Sequence, residues 1–169
     1  MRVGWMSSPI IFSLSEDDNS MRLIYRLEHD LERDHERVSL AQALTLDKTR
    51  PLMGLKGTYG LFGSADWWDS IRQGQMPLLF ISGVILRAYV AGQDKHQANN
   101  MLDLELKDGS VRAVGIYVND REDVRLFRPG YKASVVYALD ELKQQPASDG
   151  GVNYSKVALE MAISLQSVI

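Results

Sequence analysis

The sequence predicts a mostly β protein of the α+β class: a five-stranded antiparallel small barrel with a long N-terminal helix and a short tryptophan-bearing helix. Three observations predict it. Apolar residues between Ile24 and Ala41 recur at spacings of three, four or their sum, the period of one helical face. After Met76-Pro77 the period falls to two and stays there through five segments. No helix-length crossover separates those five, so neighbouring strands pair antiparallel and the sheet must curl or close.

The first 18 residues read as irregular, with one extended piece at "PIIFSLS". A helix is then expected from Asn19 or Ser20, either of which can cap it. Its stripe is Ile24, Leu27, Leu31, Val38 and Ala41, and its other face, "EHDLERDHER", is charged. Asp34 interrupts the stripe, so a bend or a wetted turn is expected there. The helix ends near Leu44, and "TLDKTRP" connects onward. Glycines then stand at 54, 57, 60 and 63, where the backbone can turn or approach another surface closely. Ser64 can cap a short helix over Ala65–Gln73, with Gly74 ending it in the left-handed conformation.

Five strands follow. Val84, Leu86, Ala88 and Val90 alternate in the first, and Leu102, Leu104 and Leu106 in the second. Asp108-Gly109 is a strong hairpin signal, and a two-residue loop would place Leu106 opposite Val111 and Glu105 opposite Arg112. In the third strand Val114, Ile116 and Val118 have changed phase, which a bulge near Gly115 or burial on both faces would accommodate. The fourth carries Tyr131, Ala133, Val135, Tyr137 and Leu139 on one face, with Lys132, Ser134, Ala138 and Asp140 opposite. The last carries Val157, Leu159, Met161, Ile163 and Leu165, with Ala158, Glu160, Ala162, Ser164 and Gln166 opposite. Leu104, Val135, Tyr137, Leu159, Met161 and Ile163 are the expected core.

The connections are a long polar loop, a tight turn, a segment "NDREDVRLFRPG" able to hold one helical turn, and a long loop "KQQPASDGGVN". Over residues 80–167 this layout resembles the OB-fold, and the resemblance implies a binding face on the sheet and its 1–2 and 4–5 loops. A meander or an SH3-like barrel would give nearly the same string. The expected division is 1–77, a helical segment with a Gly/Trp plug packed on the barrel, and 78–169, the OB-like barrel.

Composition narrows function. The chain has 169 residues, 45% hydrophobic and 24% charged, with no cysteine. A disulfide framework and a thiolate metal site are therefore excluded, and a reducing cytoplasm suits the chain. The start reads as no signal peptide, and the longest apolar run, "MPLLFISGVIL", is too short to span a bilayer. A net charge of −3 argues against holding nucleic acid by bulk charge.

Candidate sites are few. Trp67, Trp68, Ile71 and Phe62 read as a core plug, because apolar residues at helical spacing usually face a core. The glycines before Ser64 admit an anion-site reading, but match neither phosphate-loop nor dinucleotide spacing. Glu32 and His35 have the spacing of one half of a di-iron site, which needs two such pairs. Lys95 and His96 lie in the 1–2 loop. "REDVRLFRPGYK" interleaves Arg121, Arg125, Arg128 and Lys132 with Phe127 and Tyr131, the mixture of a single-strand groove, diluted by Glu122 and Asp123. No Gly-x-Ser-x-Gly elbow occurs, and no catalytic residue, metal or cofactor is assigned. The sequence reading is a non-enzymatic binding or interaction module whose partner is another protein or a second copy. A nucleic-acid binder is the alternative, and an enzyme with a pocket beside the tryptophans the third choice.

Overall fold

A computed structural model describes residues 21–92 and 98–169. The extended piece expected at "PIIFSLS" and residues 93–97 of the 1–2 loop lie outside the described residues. The described elements are β1 (Met21–Arg26), α1 (Leu27–Arg33), α2 (His35–Leu46), α3 (Ala65–Arg72), β2 (Leu78–Tyr89), β3 (Met101–Glu105), β4 (Val111–Gly115), a 3-10 helix (Arg121–Leu126), β5 (Tyr131–Glu141) and β6 (Tyr154–Ser167). They fall into two compact units. One holds Glu28–Leu79 and Tyr137–Val157; the other holds 21–27, Phe80–Val136 and Ala158–Ile169. β5 and β6 contribute residues to both.

All five expected strands form, and a sixth joins them. The sheet order is β1-β6-β5-β2-β3-β4, and this open order replaces the expected five-stranded OB-like barrel. The sixth strand is the start of the expected long helix. Met21–Arg26 pairs antiparallel with β6, from Met21 opposite Ser164 to Arg26 opposite Glu160. Ile24 and Tyr25 suit a pleated, buried surface, and the pairing overrides the helical spacing. At the other end of the order, the chain leaving β4 returns to β1. Asn119 Nδ2 donates to the Arg26 carbonyl (3.0 Å), while its Oδ1 accepts from the Arg26 amide (2.8 Å). The Asn119 amide also reaches the Ile24 carbonyl at 3.2 Å. Three hydrogen bonds take the place of a closing ladder.

The helix resumes at Leu27 and breaks at the residue that interrupts its stripe. Asp34 sits at φ −133°, and its carboxylate accepts from the Arg37 amide at 3.1 Å, capping α2. An Asp at that place competes with helix through its side chain and serves as a cap instead. Lys143 closes the far end of α2. Its Nζ donates to the carbonyls of Leu44, Asp47 and Arg50 at 2.6, 3.2 and 3.0 Å, supplying both donors and charge to a helix C-terminus.

The hairpin register differs from expectation by one residue. Glu105 faces Val111 and Leu104 faces Arg112. The loop has three residues: Gly109 N–H donates to the Leu106 carbonyl at 2.9 Å, and Leu106 N–H to the Ser110 carbonyl at 2.8 Å. Gly109 takes φ +86°, the left-handed position of a bulged type I turn. Asp108 selects it by accepting from the Ser110 amide (2.9 Å) and hydroxyl (2.6 Å). β4 runs in regular register to Gly115 and stops, so no bulge forms there. The phase change after it belongs to the connecting loop, and a side chain at Gly115 would strike the Tyr117 ring at 2.9 Å.

The six expected core residues are all buried. β5 and β6, however, are buried on both faces. Ser134, Ala138, Asp140, Ala158, Glu160, Ala162 and Ser164, on the face opposite the expected core, are buried as well. β5 and β6 lie inside the sheet order, and small residues let their second face be covered closely. The buried serines of these strands are bonded: the Ser164 hydroxyl accepts from the Lys132 amide and donates to the Gln166 carbonyl, and Ser82 and Ser134 share a bond of 2.7 Å.

Candidate functional site

The Gly/Trp segment forms as the sequence predicts. Ser64 Oγ accepts from the Trp67 amide at 3.3 Å, and Gly74 takes φ +74°. Trp67 is 0% exposed, while Trp68 is half-buried. Helical neighbours point about 100° apart, which lets one ring face the core and the other its margin. The rings meet edge to face at 4.9 Å, and Phe62 packs on Trp67 at 5.0 Å. The indole N–H of Trp67 donates to Asp140 Oδ2 at 2.9 Å. Asp140 is 1% exposed, and burial raises its pKa against the lowering effect of the Trp67 bond. Its Oδ1 has no partner among the described residues.

The glycine run is spent on packing. The Leu55 segment bridges to Leu142: the Lys56 amide donates to the Glu141 carbonyl and the Lys143 amide to the Gly54 carbonyl, each at 2.9 Å. A side chain at Gly54 would meet Leu44 at 2.7 Å. Trp67 thus belongs to a core, as the plug reading expects. Trp68 reaches a shallow groove of 350 Å³ lined by Glu28, Leu31, Glu32, His35 and Val38.

In the second unit the basic segment is held beside β2. The Gly130 amide donates to the Ile85 carbonyl at 2.9 Å. Phe127, 3% exposed, anchors the segment, and Asp120 caps its 3-10 helix by accepting from the Glu122 amide. The result is a groove of 590 Å³ whose lining includes Arg87, Arg121, Arg125 and Arg128, with Glu122 as its carboxylate. Arg128 lies over the Tyr131 ring at 4.8 Å and donates to its hydroxyl at 2.9 Å. Arg87 donates to Asp103 at 2.7 Å and lies over Tyr89 at 4.1 Å. That bond from Arg87 is the largest cause holding Asp103 below the usual carboxylate range.

The structure brings Arg125 and Arg128 together and places Lys132 elsewhere, in a cavity of 770 Å³ with Phe80, Val84, Glu105 and Arg112. Phe80 is 55% exposed there. Lys95 and His96 lie outside the described residues. Arg87 was missed as a groove residue because its alternation marks it only as outward-facing. Asp140 was placed opposite the core face by the same rule and so was not singled out, since periodicity cannot see a strand covered twice.

The profile of the family described as immunity protein RhsI2 matches residues 21–164. The chain belongs to that family. No curated protein matches it. Membership in the RhsI2 immunity family makes the chain a protein-interaction module, and the matched span runs from the first residue of β1 to within three residues of the end of β6. The surface grooves among the described residues are the Trp68 groove in one unit, and the arginine groove and the Phe80 cavity in the other.

Proposed function

We propose that this chain neutralises a cognate protein toxin by binding it, without chemistry of its own. The observation that carries the reading is the family match over residues 21–164. Two features support it. Grooves in both units present aromatic or guanidinium groups at the surface, the residue types that dominate protein–protein hot spots. Both are backed by buried anchors, Trp67 behind Trp68 and Phe127 behind the arginines, and such support lowers the ordering cost of association. The test is growth of cells producing the toxin, with and without this chain, together with isolation of a stoichiometric complex of the two purified proteins. Rescue with a complex is the expected result. Failure of the chain to protect, or protection without any complex, would remove the reading.

A further inference from the structure

The arginine groove carries the next step, which rests on the toxin-binding reading. Four guanidinium groups line one groove in a chain of net charge −3. Like charges gathered in this way repel, so their gathering needs a counter-charge. Among the described residues, Asp103 answers Arg87, Glu122 is the one carboxylate in the lining against four guanidinium groups, and no ion pair joins a carboxylate to Arg121 or Arg125. The frame is fixed by the buried Phe127, the Arg128–Tyr131 stack and the Gly130 bond to β2. We infer that this groove receives a carboxylate-bearing segment of the toxin, with Arg121 and Arg125 making the direct contacts and Arg87 and Arg128 setting its walls.

A polyanion with phosphates fits less well. Single-stranded nucleic acid uses exposed aromatic faces for base stacking. Here Phe127 is buried and the Tyr131 ring lies beneath Arg128. Guanidinium groups bind carboxylates through paired N–H donors without any such platform.

The experiment uses the full chain, the double variants Arg121→Glu/Arg125→Glu and Arg121→Gln/Arg125→Gln, and three probes: the toxin, a short oligoglutamate peptide and an oligothymidylate. Both variants change exposed side chains and should melt as the parent does. The expected result is a loss of toxin affinity of about tenfold or more in the Glu variant, with a smaller loss in the Gln variant. Oligoglutamate should compete with the toxin for the parent chain, and oligothymidylate should compete less. Undiminished toxin affinity in folded Glu variant overturns the groove assignment and leaves the toxin-binding reading intact. Stronger competition by oligothymidylate overturns the carboxylate assignment. If the parent binds no toxin at all, the functional reading fails, and direct oligoglutamate binding to parent and variants still decides the groove: binding by the parent that the Glu variant loses supports it, and anything else overturns it.

Discussion

At the scale of single residues, the most informative pair is Trp67 and Asp140. Burial and an unpartnered Oδ1 penalise the ionised carboxylate of Asp140, and the bond donated by the Trp67 indole opposes them only in part. Burial raises its pKa above the ordinary value of 3.8. The folded state therefore holds this proton more tightly than the unfolded chain does. The contribution to stability is fully present below the unfolded pKa and is lost as pH rises through the raised folded pKa. Asp140→Asn keeps an acceptor for the Trp67 indole and removes the ionisation. The variant should show a smaller fall in urea midpoint across that window than the parent, and an unchanged fall would deny Asp140 its part. Trp67→Ala should cost about 3–5 kcal/mol, the range for large aromatic truncations in packed cores. Trp68→Ala, at the margin of the same cluster, should cost clearly less. Equal losses in urea titrations would mean that the two rings are equally deep.

At the scale of elements, the hairpin and the interrupted helix mark how far local pattern reaches. Asp108-Gly109 correctly marks a turn, yet it suits both a two-residue loop and a three-residue bulged loop. The Asp108 bonds to Ser110 select the longer one, and every partner shifts by one. Gly109→Val should destabilise by about 1–2 kcal/mol, since a side-chain-bearing residue resists the left-handed conformation; urea titration measures it. Asp34 was legible as an interruption, because a charged residue stands in the apolar stripe, but the cap it forms for α2 was not. Strand β1 was not, since Ile24, Leu27 and Leu31 keep helical spacing even though the first lies on a strand. That spacing records burial, which pairing with β6 supplies equally well. Nothing in the sequence links Lys143 to α2, ninety-nine residues from Leu44. Lys143→Met should speed amide exchange in the last turn of α2 while leaving β5 and β6 slow, because the lysine holds the Leu44 carbonyl in that turn and the Asp47 and Arg50 carbonyls just after it, and no residue of α2 is buried.

At the scale of the whole molecule, function was less legible than fold for a physical reason. A binding surface needs no chemical motif, only groups gathered from distant stretches of chain. Arg87 and Arg125 line one groove, and the Gly130 amide just after the basic segment ties that segment to Ile85, two residues before Arg87, a contact that no local pattern encodes. The interleaved cations of "REDVRLFRPGYK" were visible, but their reading as a nucleic-acid groove depended on aromatic faces that the fold covers. The membership of the chain rests on a pattern spread over residues 21–164, which composition and spacing alone do not reveal. Binding of a partner to the native state must also stabilise the whole chain by mass action. Free toxin at a hundred times its Kd should add about 2.7 kcal/mol to the free energy of unfolding. Read as a urea midpoint, that shift separates binding from folding. The parent and Arg121→Gln/Arg125→Gln should unfold at the same midpoint alone, because both arginines are exposed. With toxin at one fixed concentration the parent midpoint should rise, and the variant midpoint should rise less, by the amount its Kd has weakened. Equal rises would place the contact away from the arginines, and no rise in the parent would mean that the toxin does not recognise the folded chain.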